Sequence, residues 1–219
     1  SETLQTGYIK WPKVPLKANE SEGYVASASS EYDSNFDAYY AFDDTATIDG
    51  GVYPGTAYAW ITPQYTFDIT TGDADSANCA TFDNLSCEWI QLQSPNPFAV
   101  SHFDFDRRES ETYSTIIPQE TPREGYLYAS NDGIDWTRIN SFSDLPKLGP
   151  HDWHRVDVKN STPYTHYRLV ITKIHPGNTQ GYCGISNLRF FEAATGVGAA
   201  PTSAKLQVAG SLGMAKGSE

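Results

Sequence analysis

The segment Ala41-Phe-Asp-Asp-Thr-Ala-Thr47 concentrates oxygen donors within a short stretch of chain. The donors are the side chains of Asp43, Asp44, Thr45 and Thr47. Ca2+ is a hard cation that takes six to eight oxygen ligands, and carboxylates and hydroxyls in one turn-sized loop supply several of them. The segment therefore predicts a structural Ca2+ site, and an acidic turn without an ion is the alternative.

A second group with ligand chemistry is the histidine pair in His151-Asp-Trp-His154. Two histidines three positions apart on a strand face opposite sides of it. No third ligand is patterned nearby, so the pair does not predict a metal site.

The cysteines do not decide whether the protein contains a disulfide. Cys79 and Cys87 lie eight positions apart in one polar stretch, where they could close a disulfide loop or remain two thiols. Cys183 is then unpaired, and beside a predicted strand we expect it to be a small buried apolar residue.

The sequence shows none of the common motifs of covalent or phosphoryl-transfer catalysis. It contains no nucleophile elbow, no Ser/His/Asp order and no phosphate-binding loop. With 27 acidic residues, counting alone does not exclude a pair of catalytic carboxylates of the glycosidase kind, but no pattern singles out two of them. We therefore expect a protein that is not an enzyme.

Composition favours a β-sandwich that binds neither nucleic acid nor lipid. The 219 residues suffice for one good core, and 13% of them are aromatic, with 14 Tyr and 5 Trp. A net charge of −12 cannot replace the counterions around a phosphate backbone, and it disfavours anionic membranes. No apolar run approaches the ~20 residues of a membrane span, and no signal peptide is seen.

The clearest local pattern is a hairpin in the segment from Tyr126 to Thr137. Its alternating large residues are Tyr126, Tyr128, Ile134 and Trp136. This period of two is typical of half-buried strands, and Asn-Asp-Gly at 131–133 tolerates the positive φ of a tight turn.

The remaining chain divides into an arm, a body and a tail. We expect residues 1–23 to form an extended arm along the body, residues 24–192 to form the body, and residues 193–219 to form a linker and a strand. Residues 49–58 and 68–86 are predicted to be loop insertions. From Lys205 to Leu212 the tail alternates, with Leu206 and Val208 on one face.

Several short motifs occur in one order along the body. They are Ala26-Ser-Ala-Ser-Ser-Glu31, Ala38-Tyr-Tyr-Ala-Phe-Asp-Asp44, Glu88-Trp-Ile-Gln-Leu-Gln93, Ala129-Ser-Asn-Asp-Gly133 with Trp136, Tyr167-Arg-Leu-Val-Ile171 and Gly184-Ile-Ser-Asn-Leu-Arg-Phe-Phe191. Together they resemble discoidin-like domains, also called F5/8 type C or galactose-binding-like domains. The resemblance implies an all-β, discoidin-like jelly-roll β-sandwich with an N-terminal arm and a C-terminal tail.

The resemblance also suggests how the Ca2+ shell would be completed. In many such domains the acidic loop binds structural Ca2+ together with a Glu of the final strand. This chain has Asn187 in that place, flanked by the Ser186 carbonyl. An amide oxygen can still coordinate Ca2+, although one carboxylate is lost.

Carbohydrate binding is the function that the resemblance implies. Sugar-binding relatives use an Arg after the equivalent of His102-Phe-Asp-Phe105, and Arg107 and Arg108 fall there. Planar donors pair with hydroxyls and aromatic rings pack on C–H surfaces. The aromatic candidates are Trp60, Tyr65 and Tyr182. The alternative is that one Arg pairs with Asp106 or Glu109 and the aromatics only plug the end of the barrel.

The tail from Pro201 resembles the strand that joins receptor-binding regions of viral tail fibres and spikes to a self-cleaving C-terminal chaperone. Cleavage there precedes an acidic residue after Ser, and the chain ends Gly217-Ser218-Glu219. This resemblance implies a receptor-binding domain on the virion surface that attaches to a host-cell glycan. The resemblance also implies a homotrimer, in which the three tails would together bury Leu206, Val208 and Leu212. The alternatives are a glycan-binding module of an extracellular enzyme or adhesin, and a structural fibre domain without a ligand.

Overall fold

A computed structural model describes residues 7–45, 59–108 and 117–194. These residues form strands, two short 3₁₀ helices at Ala38–Phe42 and Ile117–Gln119, and connecting loops. The strands are β1 (Tyr8–Trp11), β2 (Glu20–Ser21), β3 (Tyr24–Ala28), β4 (Trp60–Ile61), β5 (Ala80–Phe82), β6 (Leu85–Phe98), β7 (Val100–Asp106), β8 (Pro122–Ser130), β9 (Thr137–Phe142), β10 (Trp153–Asp157), β11 (Tyr164–Ile174), β12 (Gly184–Ile185) and β13 (Leu188–Ala193). Within the described ranges, no helix has the length and apolar character needed to cross a membrane.

The strands form two antiparallel sheets and a small ribbon. The smaller sheet has four strands in the order β1-β13-β7-β10. The larger sheet has seven strands, with the order β2-β3-β6-β11-β8-β9 and with β5 paired to β6. β4 and β12 pair as a separate two-stranded ribbon. This arrangement confirms the all-β sandwich that composition and motifs predict.

Alternation along the central strands places the core between the sheets. On β11, Tyr167, Leu169 and Ile171 are fully buried, whereas Arg168 between them points away from the core and is only half-buried. On β7, Phe103 and Phe105 are likewise fully buried. Because successive strand residues face opposite sides, each sheet supplies one apolar face to the core and keeps an outer face.

The N-terminal arm belongs to both sheets. β1 pairs with β13 at the edge of the smaller sheet, and β2 pairs with β3 in the larger one. Between them, Trp11 stacks on Phe98 with ring centroids 4.3 Å apart, and Leu16 is buried. The arm therefore adds two edge strands and part of the core.

The predicted hairpin exists, but its second strand begins later than the alternation predicts. β8 ends at Ser130 and β9 begins at Thr137, so Ile134 and Trp136 lie in the connection. The Oδ1 atom of Asp132 accepts hydrogen bonds from the backbone N–H groups of Ile134 and Asp135, each at 2.9 Å. This side-chain capping keeps the backbone of the connection out of the sheet.

The predicted insertion at 68–86 is not wholly a loop. It contains β5 and the first residues of β6, which pair in a short hairpin at Phe82 and Leu85. Asp83 and Asn84 form its turn with φ of 48° and 60°. Cys79 and Cys87 are both free thiols in this structure, as is the buried Cys183. The insertion predicted at 49–58 and the tail from 195 lie outside the described residues.

Candidate functional site

One end of the sandwich gathers loops around the β4–β12 ribbon. Trp60 and Ile61 of β4 pair with Ile185 and Gly184 of β12. Trp60 is fully buried, and its indole N–H donates to the Ser30 carbonyl at 2.9 Å. It therefore supports the loops from inside and presents no open ring face, contrary to its predicted role in stacking on a sugar.

Arg108 anchors this end through a buried ion pair. Its Nε lies 2.6 Å from Glu120 Oε2, and its Nη2 lies 2.8 Å from Oε1. The side chains are 13% and 1% exposed. Burial raises the pKa of Glu120, and the charge of Arg108 opposes that rise. The alternative that one arginine forms an ion pair thus holds for Arg108, but its partner is Glu120 and not Asp106 or Glu109.

The same guanidinium positions Tyr182. Arg108 Nη2 donates to the Tyr182 hydroxyl at 3.2 Å, and its Cζ lies 5.5 Å from the centre of the phenol ring. Tyr182 in turn meets Tyr32 edge-on, with centroids 6.2 Å apart. Tyr32 is 39% exposed, so the ion pair supports an aromatic surface that reaches solvent.

Tyr65 is the most exposed of the predicted sugar-binding residues. Its side chain is 53% exposed, and its φ of 64° turns the backbone sharply. Its N–H donates to the Gln180 carbonyl at 2.9 Å, and the Gln64 amide donates to the Gln180 side chain at 2.6 Å. Two residues later, Tyr182 follows Gln180, so the structure brings Tyr65 and Tyr182 to adjoining segments.

Arg107 and Arg108 directly follow β7, where Arg107 is buried and the side chain of Arg108 is only 13% exposed. Arg107 is 4% exposed, and its charge acts on Glu120 together with that of Arg108. The Nε–Nη2 edge of Arg108 is already occupied by Glu120. A two-pronged contact from that edge to sugar hydroxyls would therefore have to break the ion pair.

Two contributors to this site have no signal in the sequence. Glu120 follows the 3₁₀ helix at Ile117–Gln119, 12 positions from Arg108, and no motif links the two. Tyr32 lies in the loop after β3, and only the fold places it against Tyr182.

The predicted Ca2+ loop is held by protein groups. Asp44 forms ion pairs with Lys10 of β1 and with Arg189 of β13, whose Nε lies 3.2 Å from Oδ1. Asp43 Oδ1 accepts from the Thr45 N–H at 2.8 Å, and burial raises the pKa of Asp43. Two cations beside Asp44 oppose a divalent ion, so the loop fits Ca2+ poorly. Thr47 lies outside the described residues.

The two residues predicted to close the Ca2+ shell are buried on the final strands. The Asn187 backbone N–H and side-chain Nδ2 donate to Asp106 at 2.6 and 2.8 Å, and Ser186 is fully buried. The Asn187 Oδ1 is a buried oxygen without a hydrogen-bond partner. No group of three or more His, Cys, Asp or Glu suited to a metal occurs in the described part of the chain. Ca2+ binding stays a prediction.

Solved structures of carbohydrate-binding and F5/8 type C domains share this architecture. CpGH89CBM32-5 from Clostridium perfringens, in complex with GalNAc-β-1,3-galactose, has a TM-score of 0.51 at 16% identity, over 78% of this chain and 96% of that one. CBM32-3 from a family 31 glycoside hydrolase of the same organism has a TM-score of 0.53 at 14% identity, over 78% and 91%. An F5/8 type C domain from Bacteroides fragilis has a TM-score of 0.51 at 13% identity, over 78% and 91%.

Sequence alone gives no comparable match. No protein-family model and no curated protein matches the chain. Identities of 13–16% to the three structures establish the fold and nothing finer. The strand order, the arm built into both sheets and these structural matches show that the chain has the discoidin-like, F5/8 type C β-sandwich fold.

Proposed function

We propose that the chain is a non-catalytic carbohydrate-binding domain whose glycan contacts lie at the loop end of the sandwich. The observation that carries the proposal is the tyrosine surface of Tyr32 and Tyr65, which are 39% and 53% exposed. Tyr182 is only 8% exposed, so it supports Tyr32 from below, together with the Arg108–Glu120 pair, and does not stack on a sugar as predicted. Phenol rings pack against the C–H faces of pyranoses, and their hydroxyls exchange hydrogen bonds with sugar hydroxyls. The side-chain amides of Gln64 and Gln180 supply further donors and acceptors beside Tyr65.

Similar structures support a glycan-binding module of an extracellular enzyme or adhesin over a viral fibre domain. Two of the three are carbohydrate-binding modules, one of them from a glycoside hydrolase and one seen with a disaccharide. The tail resemblance that supports the fibre hypothesis falls on residues outside the described part of the chain. The homotrimer through Leu206, Val208 and Leu212 therefore stays a prediction of that hypothesis.

A glycan array probed with the full chain tests the proposal. We expect reproducible signals for a small set of glycans that share a terminal sugar, because a shaped polar and aromatic surface discriminates between hydroxyl configurations. Absence of any signal, on arrays that also present the chain multivalently on beads, would favour a structural domain without a glycan ligand.

A further inference from the structure

A second aromatic surface lies on the outer face of the larger sheet, away from the loop end. Arg168 of β11 points outward there, opposite Gln91 of β6 and Tyr128 of β8. Its Cζ lies 3.9 Å from the ring centre of Trp89, 4.1 Å from that of Trp136 and 4.5 Å from that of Phe82. We call this set, Arg168 with Trp89, Trp136 and Phe82, the Arg168 surface.

The guanidinium of Arg168 uses only one of its edges. Nε and Nη2 both donate to Gln91 Oε1, at 3.0 and 2.7 Å. Nη1 donates to no acceptor among the described residues. Four polar side-chain atoms of these residues are buried without a partner, and Nη1 is not among them. Nη1 therefore keeps some exposure to solvent, and the Nη1–Nη2 edge can donate to a planar acceptor.

No carboxylate of the described residues pairs with Arg168, although the chain is rich in them. The chain has 27 acidic residues against 15 basic ones. Four other arginines pair with acidic side chains, namely Arg108, Arg123, Arg155 and Arg189. Burial without a counter-charge lowers the pKa of Arg168 to about 10. The aromatic rings stabilise the cation in part, but they do not satisfy the N–H groups of the Nη1–Nη2 edge.

The chemistry that matches this surface is a carboxylate joined to a flat apolar ring face. A carboxylate accepts two parallel N–H bonds from a guanidinium edge, which fixes its orientation. Trp89, Trp136 and Phe82 are each half-buried, so their rims can pack against the C–H face of a pyranose. The net charge of −12 disfavours a polyanionic chain, which limits the match to an isolated acidic sugar.

We propose that the Arg168 surface is a second glycan-binding site, specific for a sugar residue that carries a carboxylate, such as a uronic acid. The site shares no residue with the loop end and depends on the charge of the ligand. A longer glycan that contains an acidic sugar could bind to both surfaces at once, or each surface could bind a separate glycan.

The test uses the indole N–H signals of the full chain in a nuclear magnetic resonance titration. D-glucuronate is compared with its methyl ester and with D-glucose, which keep the ring and lose the charge. Of the five tryptophans, we expect glucuronate to shift Trp89 and Trp136 in a saturable way, with the ester and glucose at least about tenfold weaker. Trp→Phe variants assign the signals.

Protein variants separate the two sites. Arg168→Lys keeps a cation but loses the planar fork, and we expect glucuronate to bind at least about tenfold more weakly. Arg155→Lys is the matched control, because Arg155 is exposed and pairs with Asp157. Tyr65→Ala should leave the glucuronate shifts unchanged, so that failure at the loop end does not count against this site.

Three results would overturn the proposal. The first is equal shifts with glucuronate and its methyl ester, a comparison that needs no variant and is insensitive to misfolding. The second is an unchanged titration with Arg168→Lys at an unchanged melting temperature. The third is an equal effect of sodium acetate on the same two indoles, which would show an anion contact without sugar recognition.

Discussion

Among single residues, Arg108 and Glu120 form the ion pair that supports the loop end. Breaking a buried pair by removing one partner leaves an uncompensated charge and costs about 3–5 kcal/mol. We therefore expect Arg108→Ala to lower the free energy of unfolding by about that amount, measured by urea denaturation, and to loosen Tyr182.

The control for Arg108 is an exposed pair in the same chain. Arg123 pairs with Asp144, whose side chain is 75% exposed, so Arg123→Ala should cost less than about 1 kcal/mol. The double variant Arg108→Met/Glu120→Leu removes both charges and should recover much of the stability that Arg108→Ala loses. Equal, small losses for Arg108→Ala and Arg123→Ala would show that the buried pair is not structural.

His175 makes stability depend on pH. Burial, aided by the charges of Lys147, Arg123 and His154, lowers the pKa of His175 to about 4 from a usual 6.5. Between these values the unfolded chain binds a proton that the folded chain does not, so stability falls as pH falls from 6.5 towards 4. The full contribution is about 3 kcal/mol. Unfolding of the chain and of His175→Gln at several pH values measures it.

The comparison with His175→Gln separates the contribution of His175 from that of the carboxyl groups that titrate in the same pH range. We expect the stability difference between the two proteins to change by most of that amount between pH 7 and pH 4. A difference that stays constant across this range would mean that His175 is protonated in the folded state as easily as in the unfolded one.

At the scale of elements, the N-terminal arm is the feature whose importance the structure raises most. Trp11 is 3% exposed and stacks on Phe98, so Trp11→Ala removes a large core side chain. Such truncations cost about 3–5 kcal/mol. Ile9→Ala is the control on the same strand, because Ile9 is 38% exposed and should cost less than about 1 kcal/mol. Chemical denaturation measures both, and similar losses would mean that the arm packs loosely.

Strand positions could be predicted from the sequence wherever alternation and motif agree. The strings around Trp89, Tyr167 and Leu188 fall in β6, β11 and β13. Periodicity mispredicts a strand where side-chain hydrogen bonds control the backbone. The Asp132 carboxylate holds Ile134 out of the sheet at 80% exposure, although its place in the alternation predicts a strand residue.

The binding site was harder to predict because its parts are far apart in sequence. Tyr65 and Tyr182 could be nominated by residue type, and the fold brings their segments together. Nothing in the local sequence marks Glu120 as the partner of Arg108, or shows that Trp60 is sealed inside. Such assignments depend on long-range packing, which a period or a motif does not encode.

For the whole molecule, the fold separates stability from recognition. The two sheets and the arm bury a continuous aromatic and aliphatic core, and the polar loops and outer faces remain at the surface. Two surfaces result, a neutral one of tyrosines and amides at the loop end and a cationic one at Arg168. A net charge of −12 makes the chain poorly suited to nucleic acid.

The central claim is that the tyrosine surface at the loop end binds glycan. The most direct measurement is a calorimetric titration of the strongest array glycan into the full chain, Tyr65→Ala and Tyr8→Ala. Tyr65 and Tyr8 are 53% and 47% exposed, so the two variants remove similar rings from different surfaces. We predict at least about tenfold weaker binding for Tyr65→Ala and a change below about twofold for Tyr8→Ala. Binding by Tyr65→Ala as tight as that of the unchanged chain would contradict the claim.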